Sequence, residues 1–342
     1  MLNGKRGTMV LSLDFEMSWG RFDKMPLDKL EAESLEERPH IRRLLALMDR
    51  YEIPATWATV GHLMLDRCER DQRGQSHGNS APHAAYSWLP HEWFRHDPCT
   101  EAASAPAWYA PDVVEWIRNA KVRHEIGSHS FGHIYYGDPE CTPAMAEADL
   151  KAALETAREK GITLNSFVFP RNMVGHLNIL HKLGIKAYRG QDPLMRGWGF
   201  GPILRAVHYW HQLWGIPPVP VRAEETLPGL WNIPGNQFFM PKVGIRTLIP
   251  MACQVRRVKA GINQAVKRGD LYHLWFHPFD LNAKPDAMFS GLERIFAFAA
   301  RMREKGLLDI LTMGDYAQRL EESKHQPVLR LEEITHQLVL QR

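Results

Sequence analysis

Residues 122–133 read VRHEIGSHSFGH: a short strand-like run, Val122–Gly127, that ends in imidazoles and small polar residues. His129 and His133 are four apart, the spacing that sets two imidazoles on one face of a helical turn, able to grip one cation. Gly127 and Ser128 offer a tight turn and an N-cap just before that turn. Working outward, the same pattern of an apolar run closing on reactive groups recurs three times. Met9–Asp14 runs into Phe15-Glu16, Ser166–Pro170 into Arg171-Asn172, and Leu271–His277 into Pro278-Phe279-Asp280.

Helical periods separate these runs. Glu36–Tyr51 carries Ile41, Leu44, Leu45 and Met48 at helical spacing, and Pro54–Val60 reads as the next strand. Further helices are expected over Asp112–Ala120, Pro143–Lys160, Gly175–Leu183, within Pro241–Arg268, and over Ala287–Lys305 and Asp315–Glu322. Ile185–Arg189, Leu230–Pro234 and Leu308–Thr312 complete about eight strands. Such alternation argues for parallel α/β architecture, either barrel or doubly wound sheet, and both place chemistry at the carboxyl ends of strands. One domain is expected over residues 1–322, with irregular insertions at about 67–111 and 190–229 and a polar tail at 323–342.

Composition narrows the function classes. In 342 residues, 44% are hydrophobic and 24% charged, which is ordinary for a globular protein with a large core. Lys and Arg number 42 against 39 Asp and Glu, a formal +3, so no basic stripe argues for nucleic acid. No apolar run is long enough for a membrane-spanning helix, and the polar Met1–Thr8 does not read as a signal peptide. Cys68, Cys99, Cys141 and Cys253 are scattered without a Cys-x-x-Cys pair, which fits reduced thiols in a cytoplasmic protein better than a disulfide framework or zinc knuckle.

The strand ends carry complementary chemistry. Asp14 and Glu16 are two apart, so on a strand both side chains point to one side. One carboxylate can hold a metal while the other serves as general base, and His277 can protonate a leaving group. Each also has a plainer reading, as a turn cap, a solvent carboxylate or a packed imidazole; the combination is what argues for a site.

That order of motifs resembles the polysaccharide deacetylases of the NodB-homology type, over roughly Thr8 to Leu320. The stretches ALMDRYEIPATWATVGH and HEIGSHSFGH look like that family's helix–strand unit and second motif. The resemblance implies a distorted (β/α) barrel of parallel strands, in seven or eight βα units, binding one divalent cation, zinc by expectation. By position Asp14 matches the catalytic base, His129 and His133 match metal ligands, and His277 matches the catalytic acid. Three features depart from the common pattern. Phe15 separates Asp14 from the acid, so Glu16 takes the ligand role, a variant also found in branches acting on allantoin-type and cyclic-imide amides. Arg171, expected to be catalytic by orienting Asp14, follows Pro170 rather than preceding it. The fourth motif has no clear match, Tyr188-Arg189-Gly190 lying nearest. Pro170, Asn172 and Tyr188 are expected to bind substrate, and Trp19 either to stack on a sugar face or to pack.

The expected activity is metal-dependent removal of an acetyl or formyl group from an amino sugar in surface-glycan assembly. The alternatives are hydrolysis of a small cyclic or linear amide, or an inactive glycan-binding barrel. Ile203–Trp214 (ILRAVHYWHQLW) mixes apolar, aromatic and basic residues and suits peripheral contact with a membrane face carrying a lipid-linked glycan, or a cover over the cleft. Oligomeric state is left open.

Overall fold

The first strand, β1 (Gly7–Phe15), is buried at every position, as expected for a strand covered on both faces of a parallel sheet. A computed structural model describes residues 6–72, 74, 76–77, 86–192 and 209–325. In it β1 pairs in parallel with β9 (Leu271–Phe276) along one edge. Its other edge is divided: Gly7–Val10 pairs with β10 (Leu308–Leu311), and Ser12–Phe15 pairs with β2 (Thr56–Thr59). From β2 the sheet continues through β3 (Glu125–Ser128), β4 (Ser166–Val168), β5 (Ala187–Arg189), β7 (Leu230–Asn232) and β6 (Glu224–Leu227), while β8 (Gln237–Phe238) flanks β9.

Arg189 and Asp14 show how strongly this sheet curls. They sit on β5 and β1, four strand steps apart, or about 19 Å on a flat sheet. Their side chains nonetheless meet in a two-point ion pair of 2.6 and 2.7 Å. The sheet is a distorted (β/α) barrel, as expected.

Helices α1 (Leu27–Tyr51), α2 (Pro111–Arg118), α3 (Pro143–Glu159), α4 (Leu177–Lys182), α5 (Met251–Arg268), α6 (Pro285–Glu304) and α7 (Met313–His325) accompany the strands. One apolar cluster joins β1, β2, the buried faces of α1, α3, α5 and α6, and much of the first insertion. Helix α1 starts nine residues before the expected Glu36, because Ser34 and Glu37 face inward there and break the apolar period. Pro39 lies inside it.

Several expected boundaries change. Among the described residues the sheet has ten strands rather than about eight, and one strand pair, β6–β7, is antiparallel. Strand β6 lies inside the second expected insertion and turns back through Pro228-Gly229, where Gly229 takes φ +77°, the left-handed conformation glycine adopts freely. The described residues of the first insertion have little regular structure, but Trp93, Phe94, Trp108 and Tyr109 are buried against the barrel. Helix α7 runs to His325, three residues into the expected tail. Among the described residues no helix is long and apolar enough to cross a membrane.

Candidate active site

Asp14, Glu16, His129, His277 and Arg189 all lie at carboxyl ends of strands, the end where such barrels build their sites. Glu16 follows β1 directly and is 4% exposed, and its Oε2 lies 3.2 Å from His129 Nε2 and 2.8 Å from His133 Nε2. Gly20 makes room for this carboxyl, since a Cβ there would fall 2.0 Å from Glu16 Oε1.

The His pair is not on a helical turn, and Gly127 and Ser128 end β3 instead of capping a helix. Residues 129–133 form a loop in which Ser130 and His133 take φ of +70° and +62°, costly for non-glycine residues and often found at functional sites. Buried Asp149 of α3 holds the loop: Phe131 and Gly132 N–H donate to its two oxygens at 2.9 and 3.0 Å, and Tyr136 O–H donates at 2.9 Å. The two imidazoles end with ring centroids 5.0 Å apart.

Whether this cradle fits a cation can be judged from its hydrogen bonds. His129 Nδ1 lies 2.8 Å from the Val168 carbonyl, which can only accept, so Nδ1 carries the proton. In the neutral ring Nε2 then presents a lone pair to the Glu16 carboxylate, an arrangement a cation between them would resolve. Burial pushes the His133 imidazole down to about 4, outweighing Glu16, so that ring is neutral near pH 7. The donor atoms of Glu16, His129 and His133 lie within 4.8 Å of one another. Two imidazoles and a carboxylate fit a divalent cation.

Asp14 stands beside this cradle. Burial alone would raise its pKa, but the Arg189 guanidinium outweighs burial and holds it below the ordinary value. Arg189 also donates to Ser12 Oγ at 3.0 Å and Asn172 Oδ1 at 3.1 Å, and lies 4.3 Å over the Trp275 ring. His277 Nε2 is 3.7 Å from Asp14 Oδ2 and 4.0 Å from Glu16 Oε1, while its Nδ1 pairs with Asp280 Oδ2 at 2.9 Å. Burial would lower this imidazole, but Asp280, Glu16 and Asp14 together raise it to about 9. A carboxylate held ionised and an imidazolium held protonated therefore face one another, the pattern that divides base and acid roles.

No family model and no curated protein matches the chain. Solved structures do. A protein from Mycobacterium smegmatis described as a "putative polysaccharide deacetylase" superimposes with a TM-score of 0.59 at 15% identity, covering 96% of this chain and 94% of that one. Another from Pseudomonas aeruginosa PAO1, described as a "probable polysaccharide deacetylase", gives 0.58 at 13% identity, over 94% and 93%. Puue allantoinase gives 0.58 at 13% identity, over 96% and 94%. The chain has the polysaccharide deacetylase fold.

On this fold some expected site residues move. Arg171 does not touch Asp14: it donates to Asp23 Oδ1 and the Gly20 carbonyl, both at 2.8 Å, and to Tyr135 O–H at 3.1 Å. Arg189 holds Asp14 instead. Trp19 is fully buried, donates to the Trp108 carbonyl at 3.1 Å and packs on His62, Phe94 and Trp108, so it presents no face to a sugar. Tyr188 is 3% exposed and packs its ring edge-on against Phe169, a core position rather than a substrate contact. Pro170 is buried at the start of a tight turn whose next two residues, Arg171 and Asn172, take positive φ. Asn172 reaches the site through Arg189. Sequence reasoning gave no role to Asp280, Asp149 or buried Glu37, whose carboxyl burial raises to about 8. Asp280 directly follows the Phe-His-Pro-Phe run, the one signal that could have found it.

Proposed function

We propose that this protein is a metal-dependent hydrolase that removes an acetyl or formyl group from the nitrogen of an amino sugar. One observation carries the reading: Glu16, His129 and His133 converge beside an Asp14–His277 pair whose ionisation states are driven apart. Two imidazoles and one carboxylate leave positions open, the donor set of catalytic zinc sites. A divalent cation held there would supply Lewis acidity, polarising the acyl carbonyl and making water nucleophilic near neutral pH.

The chain's own groups supply proton transfer. Asp14, fixed by both Arg189 nitrogens, accepts the proton of the attacking water. His277, protonated on Nε2 and braced through Nδ1 by Asp280, gives a proton to the departing amine. Arg189 fixes the direction of the carboxylate and keeps it ionised. Removing a general acid or base typically costs about 10²–10⁴-fold in rate. Asp14→Asn and His277→Ala should therefore retain metal and lose turnover, measured as acetate or formate released from N-acyl amino sugars. Either variant at the wild-type rate removes that residue from the mechanism.

A second reading, hydrolysis of a small cyclic amide, is favoured by one finding. Puue allantoinase shares the architecture as closely as the Pseudomonas deacetylase does. Ring opening of a cyclic ureide, assayed beside the N-acyl sugars, separates the two.

The finer proposal is a cytoplasmic enzyme acting on a glycan carried by lipid. Part of the segment expected to touch a membrane, 203–208, lies outside the described residues. Residues 209–214 are helical, with Trp210 and Trp214 57% and 62% exposed beside exposed Leu213. Indole rings in such positions suit a headgroup interface. Liposomes should sediment the wild type but not a Trp210→Ser/Trp214→Ser variant; no sedimentation of the wild type would favour a soluble substrate.

A further inference from the structure

A second convergence of metal-binding side chains lies outside the active site, where the first insertion meets the barrel. His62 sits in the tight turn after β2, and Cys68, His77 and Asp97 come from the insertion. His62, Cys68 and Asp97 are buried and the His77 side chain is 10% exposed. Asp97 Oδ2 lies 3.0 Å from His62 Nε2, 2.9 Å from His77 Nε2 and 3.4 Å from Cys68 Sγ. Cys68 Sγ is 3.4 Å from His77 Nε2, and all four donor atoms fall within 4.8 Å of one another.

We propose that His62, Cys68, His77 and Asp97 form a structural zinc site that staples the first insertion to the barrel. Zinc bond lengths in a tetrahedron give edges of about 3.3 Å between nitrogen and oxygen and about 3.6 Å between sulfur and nitrogen. The observed separations are within a few tenths of these. Three potential donors crowd one carboxylate oxygen, which has about two lone-pair sites; a central cation relieves that crowding. A thiolate and a carboxylate also cancel a 2+ charge, leaving a neutral group in a buried place.

The surroundings hold the donors in position. Asp97 Oδ1 accepts from Tyr109 O–H at 2.7 Å and Cys99 N–H at 3.0 Å, orienting the carboxylate with Oδ2 toward the cluster. Four protein donors, three of them buried, fill a tetrahedron and leave no open position for substrate, as in structural rather than catalytic zinc sites. A long insertion whose described residues carry little regular structure is the kind of segment a metal can order. The staple reaches the active site from two sides. The His62 ring packs 4.4 Å from Trp19, three residues past Glu16, and Gly61 and His62 N–H donate to the Ser130 and Phe131 carbonyls between the two active-site histidines.

The test is metal content of the full-length protein after zinc loading and desalting. Wild type should hold two equivalents, His129→Ala/His133→Ala one, and Cys68→Ser one. Cobalt(II) loading of the His129→Ala/His133→Ala variant should give a near-ultraviolet thiolate-to-metal charge-transfer band, because of the two clusters among the described residues this one contains a cysteine. The band should persist with Cys99→Ser added and vanish with Cys68→Ser added. Because this signal is read with the active-site histidines removed, it stands or falls separately from the proposed activity, and it does not require the Cys68 variant alone to fold. A wild type holding no more than one equivalent, no band in the double histidine variant, or a Cys68–Cys99 disulfide in unreduced protein would overturn the proposal.

Discussion

Replacing Arg189 with Met removes a guanidinium that is 1% exposed and leaves Asp14, 4% exposed, without its ion-pair partner. Four hydrogen bonds go with it, two to Asp14 and one each to Ser12 and Asn172. Breaking a buried pair from one side typically costs about 3–5 kcal/mol, because the remaining charge stays desolvated. That is the expected loss in urea unfolding at pH 7. The pH dependence gives the cause. In the wild type the Asp14 pKa is depressed, so its contribution to stability is present above the unfolded value, 3.8, and is lost as pH falls through the lower folded value. In the variant, burial is unopposed by Arg189 and drives the pKa upward. Protonation then relieves the penalty, so the deficit against wild type should shrink between pH 7 and pH 5. Adding Asp14→Asn should restore part of the loss, with a coupling of about 2–3 kcal/mol, since residues in one network are not additive. A deficit under about 1 kcal/mol, flat with pH and additive with Asp14→Asn, would refute the assignment of Arg189 as the partner of Asp14.

Other expectations follow from neighbouring contacts. Asp280→Asn keeps an acceptor near His277 but removes the charge that contributes most to raising it, so the folded pKa should fall from about 9 toward 6.5. Activity requiring imidazolium is lost as pH rises through that value, so the alkaline limb of the pH–rate profile should move to lower pH, by about one to two units; an unmoved limb would separate it from His277. Asp149→Ala removes the acceptor for two loop amides and should weaken active-site metal binding about 10–100-fold, read by competition with a chelator. Trp19→Ala should cost about 3–5 kcal/mol of stability as a core truncation. An unchanged unfolding curve with a raised KM would return Trp19 to the substrate-binding role.

The strand ends were legible because each reactive group lies within a few residues of an apolar run that must be buried. Asp14, Glu16, His129, His133 and His277 could be read that way, and they meet in one place. The two His rings come together, but not on the expected helical turn: a loop with two left-handed residues, tied by Asp149, brings them side by side. Arg189 was not legible as the partner of Asp14, since only sheet curvature brings β5 and β1 together, and no local spacing encodes curvature. Trp19 and Tyr188 illustrate the opposite limit: an aromatic beside a strand end reads alike whether it lines a cleft or fills a core. The His62–Cys68–His77–Asp97 cluster escaped notice because its donors are spread over 36 positions without the paired spacing of a knuckle.

The most direct measurement is release of acetate or formate from a panel of N-acyl amino sugars by zinc-loaded wild type, with Asp14→Asn carrying the same metal alongside. The account expects acyl release by the wild type and its loss in the variant with metal retained. A fully loaded wild type that releases nothing from any N-acyl sugar, or an Asp14→Asn variant that matches it, would contradict the account.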